Sequence, residues 1–359
     1  MKINKAPNLQ LGGDVTTVKS PGVVKFFGEH AIVEGKFALA MAIDRYASAD
    51  ISNDGGDLLT INLPDLGESR QFSREDLVLL YRDYKAKETV PKTNRNDYIA
   101  AFVSRHQDIG INMLPLAVIA ARLLYTYNAA VLGRTVTVNS NIPMQRGLAS
   151  SAACSTAFTV CLLRACNLNL EDSQIIDIAR DGERVRHTSE GGGKIDVSTS
   201  YYGGFVSYSD STGAKKEHIE ADVKLLTIDT GSKKPTSDMV RHFKERLVEL
   251  GDKSEEVLNL FDKCSRDGFK ALCDSNMKAV GNFMYKNQEL LKYMEMSSEG
   301  LDEVVAIARE NGAYGCKLSG GGGGGIAIAL TDDPKRLGAV FASKGYDSYI
   351  FNKSAYGTK

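Results

Sequence analysis

The sequence predicts an α+β fold, not a regularly repeating strand–helix–strand sheet. Two features predict it: apolar runs with strand character gather in residues 15–62 and return near the end, and residues 237–310 read almost wholly as helix. A third feature shows that parts of this fold must lie very close together. Residues 320–325 are six consecutive glycines, held between the apolar stretches 313–318 and 326–330. Glycine gives up more backbone freedom on ordering than any other residue. A run pinned between packing segments is therefore not a linker; it lets a backbone pass close to a phosphate or to another chain.

Taken in order, residues 23–27 and 37–43 are short apolar runs bounded by Gly and Pro, as strands are. Helices are expected over 74–86 and 96–127, the second a long amphipathic pattern. Residues 135–138 alternate as a strand. A turn-rich loop at 143–151 enters a helix at 152–166, and a second helix covers 170–186. The Gly-rich loop 191–193 comes before a turn into a strand at 201–206, and 224–228 is another strand. The end alternates strand (325–330), helix (334–344) and strand (347–351). A domain break is expected near 220–235, dividing the chain into 1–225 and 226–359.

The formal net charge of −1 gives no reason to expect a nucleic acid or a membrane surface as partner. Residues 1–14 lack the apolar core of a signal peptide. The best apolar run, 114–124, is too short to cross a bilayer and contains Arg122. The six cysteines show neither CxxC pairs nor zinc spacing, and Cys154 and Cys161 fall in a helical apolar pattern as small core residues. A cytoplasmic location is expected. The oligomeric state stays open, a homodimer included.

Four constellations carry chemistry. Gly320, Gly322 and Gly325 satisfy G-x-G-x-x-G, but a dinucleotide site needs a helix after the glycines and a strand-like run follows instead. That leaves a crossing of two backbones or a loop lying against a ligand. Pro143, Arg146, Gly147, Leu148, Ala149, Ser150, Ser151 and Ala152 form a small-residue loop entering a helix. Free N–H groups and the positive dipole end there suit phosphate, and a serine hydroxyl can ligate Mg²⁺. An ordinary serine N-cap would leave the same pattern, and the Gly-Lys-Ser/Thr ending of a P-loop is absent. Lys25 on a strand, followed by a Gly turn into Glu29 and His30, reads either as site residues or as an edge lysine and a satisfied turn pair. Glu183 on a helix and Asp196 after a Gly loop could divide metal holding and proton acceptance between them, or be a solvated helix acid and a turn aspartate.

In this order the motifs resemble the GHMP kinase family, the mevalonate kinase branch above all. Residues 20–36 resemble its first motif, Gly147-Leu148-Ala149-Ser150-Ser151 its phosphate loop, and 315–330 its glycine-rich third motif. Residues 182–204 and 229–236 are also similar, so the likeness spans 20–330. The resemblance implies two domains, an N-terminal ribosomal-protein-S5-like α/β domain and a C-terminal ferredoxin-like α+β domain. It implies ATP and Mg²⁺ as cofactors and a small-molecule alcohol as acceptor, mevalonate first. Asp196 and Lys25 would be catalytic, and Ser151 and Glu183 would hold the metal. The phosphate loop, with Gly321 and Gly322, would bind ATP. Glu29, His30, Lys194, Thr199, Lys234 and Thr236 would lie around the acceptor.

One position departs from the pattern: the family's lysine after Pro-Gly is Val23 here. Lys25 lies two residues on, on the same strand face and displaced by about 6–7 Å. Lys194, beside Asp196, is the other candidate for the missing charge. The Lys-Phe-Phe-Gly spacing also resembles mevalonate diphosphate decarboxylases, so a 3-kinase or decarboxylase, or a sugar kinase, is an alternative. A ligand sensor without activity is the alternative of another class.

Overall fold

Strand β1 (Thr16–Phe27) runs antiparallel to the long β2 (Ala38–Asn53). The computed structural model describes residues 16–143, 146–189, 191–231 and 234–359. After β2 come β3 (Leu59–Leu63), β4 (Glu68–Phe72), α1 (Arg74–Lys85), α2 (Arg95–Arg105), α3 (Met113–Tyr127) and β5 (Arg134–Ser140). Next are α4 (Ser150–Ala165), α5 (Asp172–Arg186), α6 (Lys194–Tyr202), β6 (Phe205–Ser209) and β7 (Gly213–Glu217). The second lobe holds β8 (Lys224–Asp229), α7 (Thr236–Leu250), α8 (Ser254–Cys273), α9 (Met277–Tyr293), α10 (Glu299–Glu310), β9 (Gly315–Ser319), β10 (Ile326–Leu330), α11 (Pro334–Ser343) and β11 (Ser348–Asn352).

The first sheet runs β4-β3-β5-β2-β6-β7, with β1 on the free edge of β2. The second is an antiparallel sheet ordered β11-β8-β10-β9. Helix and strand are mixed in two lobes, the α+β architecture expected. One apolar cluster fills the first lobe, with Val136, Leu80, Ile119 and Phe158 among its members. Another fills the second lobe around Phe243, Phe261 and Phe341. A third joins the lobes: Val24, Phe26, Met41 and Phe205 pack with Leu225, Val280, Ile328 and Phe351.

Several elements differ from the sequence expectation. The long helix over 96–127 is two helices, broken where Gly110 takes φ +93°, a conformation that side chains resist. Residues 194–202 form α6, although Val-Ser-Thr-Ser-Tyr-Tyr is a poor helix sequence. Burial of Ile195 and Val197 overrides that propensity. The expected border at 225/226 cuts β8, whose residues all pair in the second sheet. Residues 354–359 return to the first lobe. Cys161 is buried and donates to the Ala49 carbonyl at 3.4 Å, and Cys154 is partly buried against the same core, as expected of small core residues. No helix among the described residues is long and apolar enough to cross a membrane.

Helix α9 meets β9 at a glycine–glycine contact. A Cβ on Gly281 would overlap the Tyr314 carbonyl oxygen and come within 2.7 Å of the Gly315 nitrogen. Both obstacles are backbone and cannot rotate away. Gly281→Ala is therefore expected to cost about 3 kcal/mol, seen as a lower urea midpoint with an unchanged slope.

Candidate active site

Alternation along β1 sends Val24 and Phe26 into the core shared by the lobes, and Val23 and Lys25 to the opposite face. There Val23 packs on Ile195 in the first turn of α6. One residue on, Asp196 meets Lys25: its two carboxylate oxygens lie 2.9 and 3.0 Å from Lys25 Nζ. The Lys25 backbone is held by Ser319, whose hydroxyl accepts from Lys25 N–H and donates to its carbonyl, both at 3.1 Å. Burial pulls the Lys25 ammonium down, but Asp196, with Glu29 and Glu183 behind it, holds it above the ordinary lysine value. The two side chains keep 23% and 18% exposure, so a substrate can reach the pair. Lys194 turns away: its ammonium pairs with Asp210 at 2.7 Å and lies over the Tyr208 ring. Of the two lysines considered, Lys25 is the one that faces Asp196.

Small residues draw three helices together behind this pair. Ala152 of α4, Ala179 of α5 and Val197 of α6 pack in one cluster. Gly182 closes α5 onto α4, since a Cβ there would lie 2.6 Å from Ser155 Oγ. A Cβ on Gly193 would press on Glu183 Cβ at 2.7 Å, and Gly193 itself has φ +68°. Glu183 is thereby buried beside Asp196's helix. It accepts from Ser151 Oγ at 3.2 Å, and His187, one turn along α5, lies 3.3 Å from the same oxygen. The other oxygen, Oε1, is buried and has no hydrogen-bond partner among the described residues. Mg²⁺ takes one or two carboxylates and completes its shell with water and phosphate oxygens. A serine hydroxyl beside an unpartnered buried carboxylate oxygen fits that ion. Among the described residues there is no cluster of three ligating His, Cys, Asp or Glu side chains, so no all-protein cage competes with this arrangement.

The loop into α4 is not capped by serine. Ala149 occupies the cap position at φ +52° with no side-chain hydrogen bond, and Ser150 and Ser151 are the first helical residues. Ser150 shares a hydrogen bond with Ser140 instead. The first-turn N–H groups are thus left to a ligand, as a phosphate site needs. The Leu148 carbonyl accepts from Val23 N–H at 3.0 Å, fixing the loop to β1. Arg146 is paired with Asp229 at the end of β8. Pro143 leads into the loop; two other residues of that segment, Met144 and Gln145, lie outside the described residues, as do Ser232 and Lys233 before Lys234.

The glycine run is the turn of the β9–β10 hairpin. Five of its six residues have positive φ, from +65° at Gly323 to +112° at Gly324, which explains their identity. An antiparallel partner on each side excludes the dinucleotide arrangement. Gly320 faces the phosphate loop: a Cβ there would lie 3.7 Å from the Gly147 backbone. At Gly321 and Gly322, expected against ATP, the side-chain positions are closed by the second lobe: a Cβ on Gly321 would lie 2.9 Å from Thr236 Oγ1, and one on Gly322 would strike the Met296 carbonyl. Lys234 lies beside Gly323. The Gly321 carbonyl accepts from His30 Nε2 at 2.8 Å, which puts the proton on Nε2 and leaves Nδ1 a buried acceptor without a partner among the described residues. His30 stacks on Phe243 of α7. Glu29 is buried and paired with the fully buried Lys317 of β9, and its second oxygen has no hydrogen-bond partner among the described residues. Desolvation draws the Lys317 ammonium down, with Glu29 opposing.

The fold therefore brings together Lys25, Asp196, Ser151, Glu183 and the loop 146–152. It sets Glu29, His30, Lys234 and Thr236 at the adjoining hairpin. Thr199 does not join them: it is fully buried and its hydroxyl donates to the Ile195 carbonyl one turn back. A threonine in a helix interior meets its own backbone in this way. Sequence reasoning named Gly320 and its run but not the partners of Lys317 and Ser319, and it gave His187 no role. His187 carried a signal, the i, i+4 spacing from Glu183. The pairing of Lys317 with Glu29 and of Ser319 with Lys25 depends on a contact between the lobes whose register no local pattern announces.

His30 supplies a pH test. Burial pushes its pKa down to about 4; the Gly321 carbonyl opposes this, and the charges of Lys25 and Lys317 add to it. An unfolded histidine titrates near 6.5, so between these values the unfolded chain binds the extra proton and stability falls as pH falls. Lowering the pH from 7 to 5 should remove about 2 kcal/mol through this residue. Urea unfolding of His30→Asn should lack that part of the slope.

Comparison with known proteins agrees with this geometry. Residues 115–204 match the family described as GHMP kinases N terminal domain, and 269–344 that described as GHMP kinases C terminal. The mevalonate kinase of Pyrococcus abyssi is 31% identical over 331 residues, covering 88% of this chain and 89% of its own. Among solved structures, the Methanococcus jannaschii mevalonate kinase superposes with a TM-score of 0.73 at 23% identity, over 95% of this chain and 98% of that one. The L. major mevalonate kinase in complex with R-mevalonate gives 0.70 at 20% identity, over 96% of each chain. The chain belongs to the GHMP kinase family and is a phosphotransferase acting on an alcohol.

Proposed function

We propose that this protein transfers the γ-phosphoryl group of ATP to the 5-hydroxyl of (R)-mevalonate, with Mg²⁺. The observation that carries the reading is the Lys25–Asp196 pair beside Ser151 and Glu183 at an uncapped helix N-terminus. Phosphoryl transfer needs positioning and charge neutralisation more than covalent chemistry. Asp196 orients the acceptor hydroxyl and takes its proton as the oxygen attacks. Lys25 donates to Asp196 Oδ2, which orients the carboxylate, and places a positive charge where negative charge gathers on the transferred group. The amides of the loop 146–152 and the first turn of α4 cradle the phosphates. Ser151 and Glu183 would hold Mg²⁺, which would supply positive charge against the phosphate oxygens. On the acceptor side, Glu29 Oε2 and His30 Nδ1 are buried acceptors without partners among the described residues, suited to hydroxyl donors. Lys234 and Thr236, at the start of α7, close the hairpin side. The relatives named mevalonate kinase favour mevalonate as the acceptor.

A second reading has one feature in its favour: the ammonium comes from Lys25, while the residue in the family's usual place, Val23, is buried against α6. That is the spacing resembled by the decarboxylases.

Product analysis separates the two. 5-Phosphomevalonate is expected; 3-phosphomevalonate or carbon dioxide would establish the second reading, and phosphorylation of a sugar alone would refute both. Asp196→Asn should keep ATP binding and lose turnover on the order of 10³-fold. Glu183→Gln should raise the Mg²⁺ concentration needed for half-maximal rate. Normal turnover in Asp196→Asn would overturn the assignment of the transfer centre.

A further inference from the structure

Residues 354–359 leave the second sheet and cross back over the first lobe. Ser354 N–H donates to the Ala42 carbonyl at 2.8 Å, and its own carbonyl accepts from Gly204 at 2.7 Å. Gly357 then lies on the end of α6, so close that a Cβ would overlap the Tyr201 carbonyl oxygen. Thr358 N–H donates to that same carbonyl at 3.0 Å. The Thr358 hydroxyl lies 3.0 Å from both Ser20 Oγ on β1 and the Ser200 carbonyl on α6; with a single proton it donates to the carbonyl and accepts from Ser20 Oγ. Lys359 exchanges two backbone hydrogen bonds with Lys19, each 3.0 Å. Ser200 Oγ donates to the Pro21 carbonyl at 2.8 Å, so the strand and the helix also touch directly beneath the crossing segment.

These contacts fall on the two elements that carry the Lys25–Asp196 pair. From Ser200 to Asp196 is one helical turn, about 6 Å. From Ser20 to Lys25 is five residues of strand, about 16 Å. The strand has register irregularities between Pro21 and Val23 and between Lys25 and Phe27, so its pairing with β2 does not by itself hold this stretch in line. We propose that residues 354–359 form a strap whose Thr358 hydroxyl, bridging β1 to α6, positions Lys25 against Asp196. Thr358 is a positioning residue: its hydrogen-bond partners among the described residues are Ser20, Ser200 and Tyr201, none of them in the transfer centre. The inference rests on the proposed reading of Lys25 and Asp196 as that centre.

Thr358→Val keeps the shape and removes the hydroxyl. In the full chain it should lower kcat about tenfold, the effect of a small misplacement of reacting groups, and leave KM for ATP and for the acceptor within about twofold. Thr358→Ser restores the hydroxyl and should restore kcat. Ser20→Ala removes one end of the same bridge. It should reproduce the loss, and the double variant should be no worse than either single one, as for two halves of one interaction. Unchanged kcat in both Thr358→Val and Ser20→Ala overturns the strap, as does a loss that Thr358→Ser fails to rescue. A parallel rise in both KM values with a drop in melting temperature also overturns it, because that is the signature of general loosening. Asp196→Asn runs alongside. If it retains turnover, the transfer centre itself is misassigned; if it is dead while Thr358→Val is normal, only the strap fails.

Discussion

The contact on which the site depends is the seating of the glycine hairpin on the first strand. At one edge Ser319 binds both the N–H and the carbonyl of Lys25. Beside it Lys317, fully buried, pairs with Glu29, and Gly321 receives the His30 proton. Gly320 lies against Gly147 of the phosphate loop. Every one of these joins the two lobes. Side chains on the hairpin would hold the backbones apart, and five of its six glycines adopt φ values that other residues resist. The sequence of six glycines is thus explained by two demands at once: a turn geometry, and a surface on which a second backbone and a ligand can lie.

A buried ion pair such as Glu29–Lys317 adds little net stability, because desolvation offsets the attraction; breaking it by removing one partner costs about 3–5 kcal/mol. Its effect here is registry. An apolar core alone, like the cluster shared by the lobes, would tolerate sliding, whereas a charge pair with one good geometry does not. Behind the site, the ion network of Asp181 with Arg122 and Arg184 does the same for α5. It lies two residues from Glu183 and fixes the helix that presents that carboxylate.

Two carboxylates stand near one another in this site with different partners. Asp196 is ion-paired with an ammonium that donates to its Oδ2, and the pair remains reachable. Glu183 is buried, with one oxygen shared by Ser151 and His187 and the other unpartnered. The first arrangement suits handling a hydroxyl proton, the second holding a hard cation, which is the division of labour that phosphoryl transfer calls for.

Much of this was legible in the chain. The block order of strands and helices predicted α+β architecture, and the motif order predicted the family. Strand alternation put Lys25 on the face of residue 23, the face that meets α6. Small residues at 147–153 and 191–193 marked loops that pack closely, because a missing side chain is a local property. What needed the folded structure was every relation across distance. Lys25 and not Lys194 meets Asp196 because α6 is a helix, against its own propensities, and its first turn directs Lys194 to Asp210. Thr199 is withdrawn into that helix for the same reason. Lys317 and Ser319 became site residues only when β9 came to lie beside β1, roughly 290 positions away in the chain. Periodicity and propensity act over a few residues. Partners so far apart are chosen by the burial of both lobes against a common core, and that energy is spread over the whole chain.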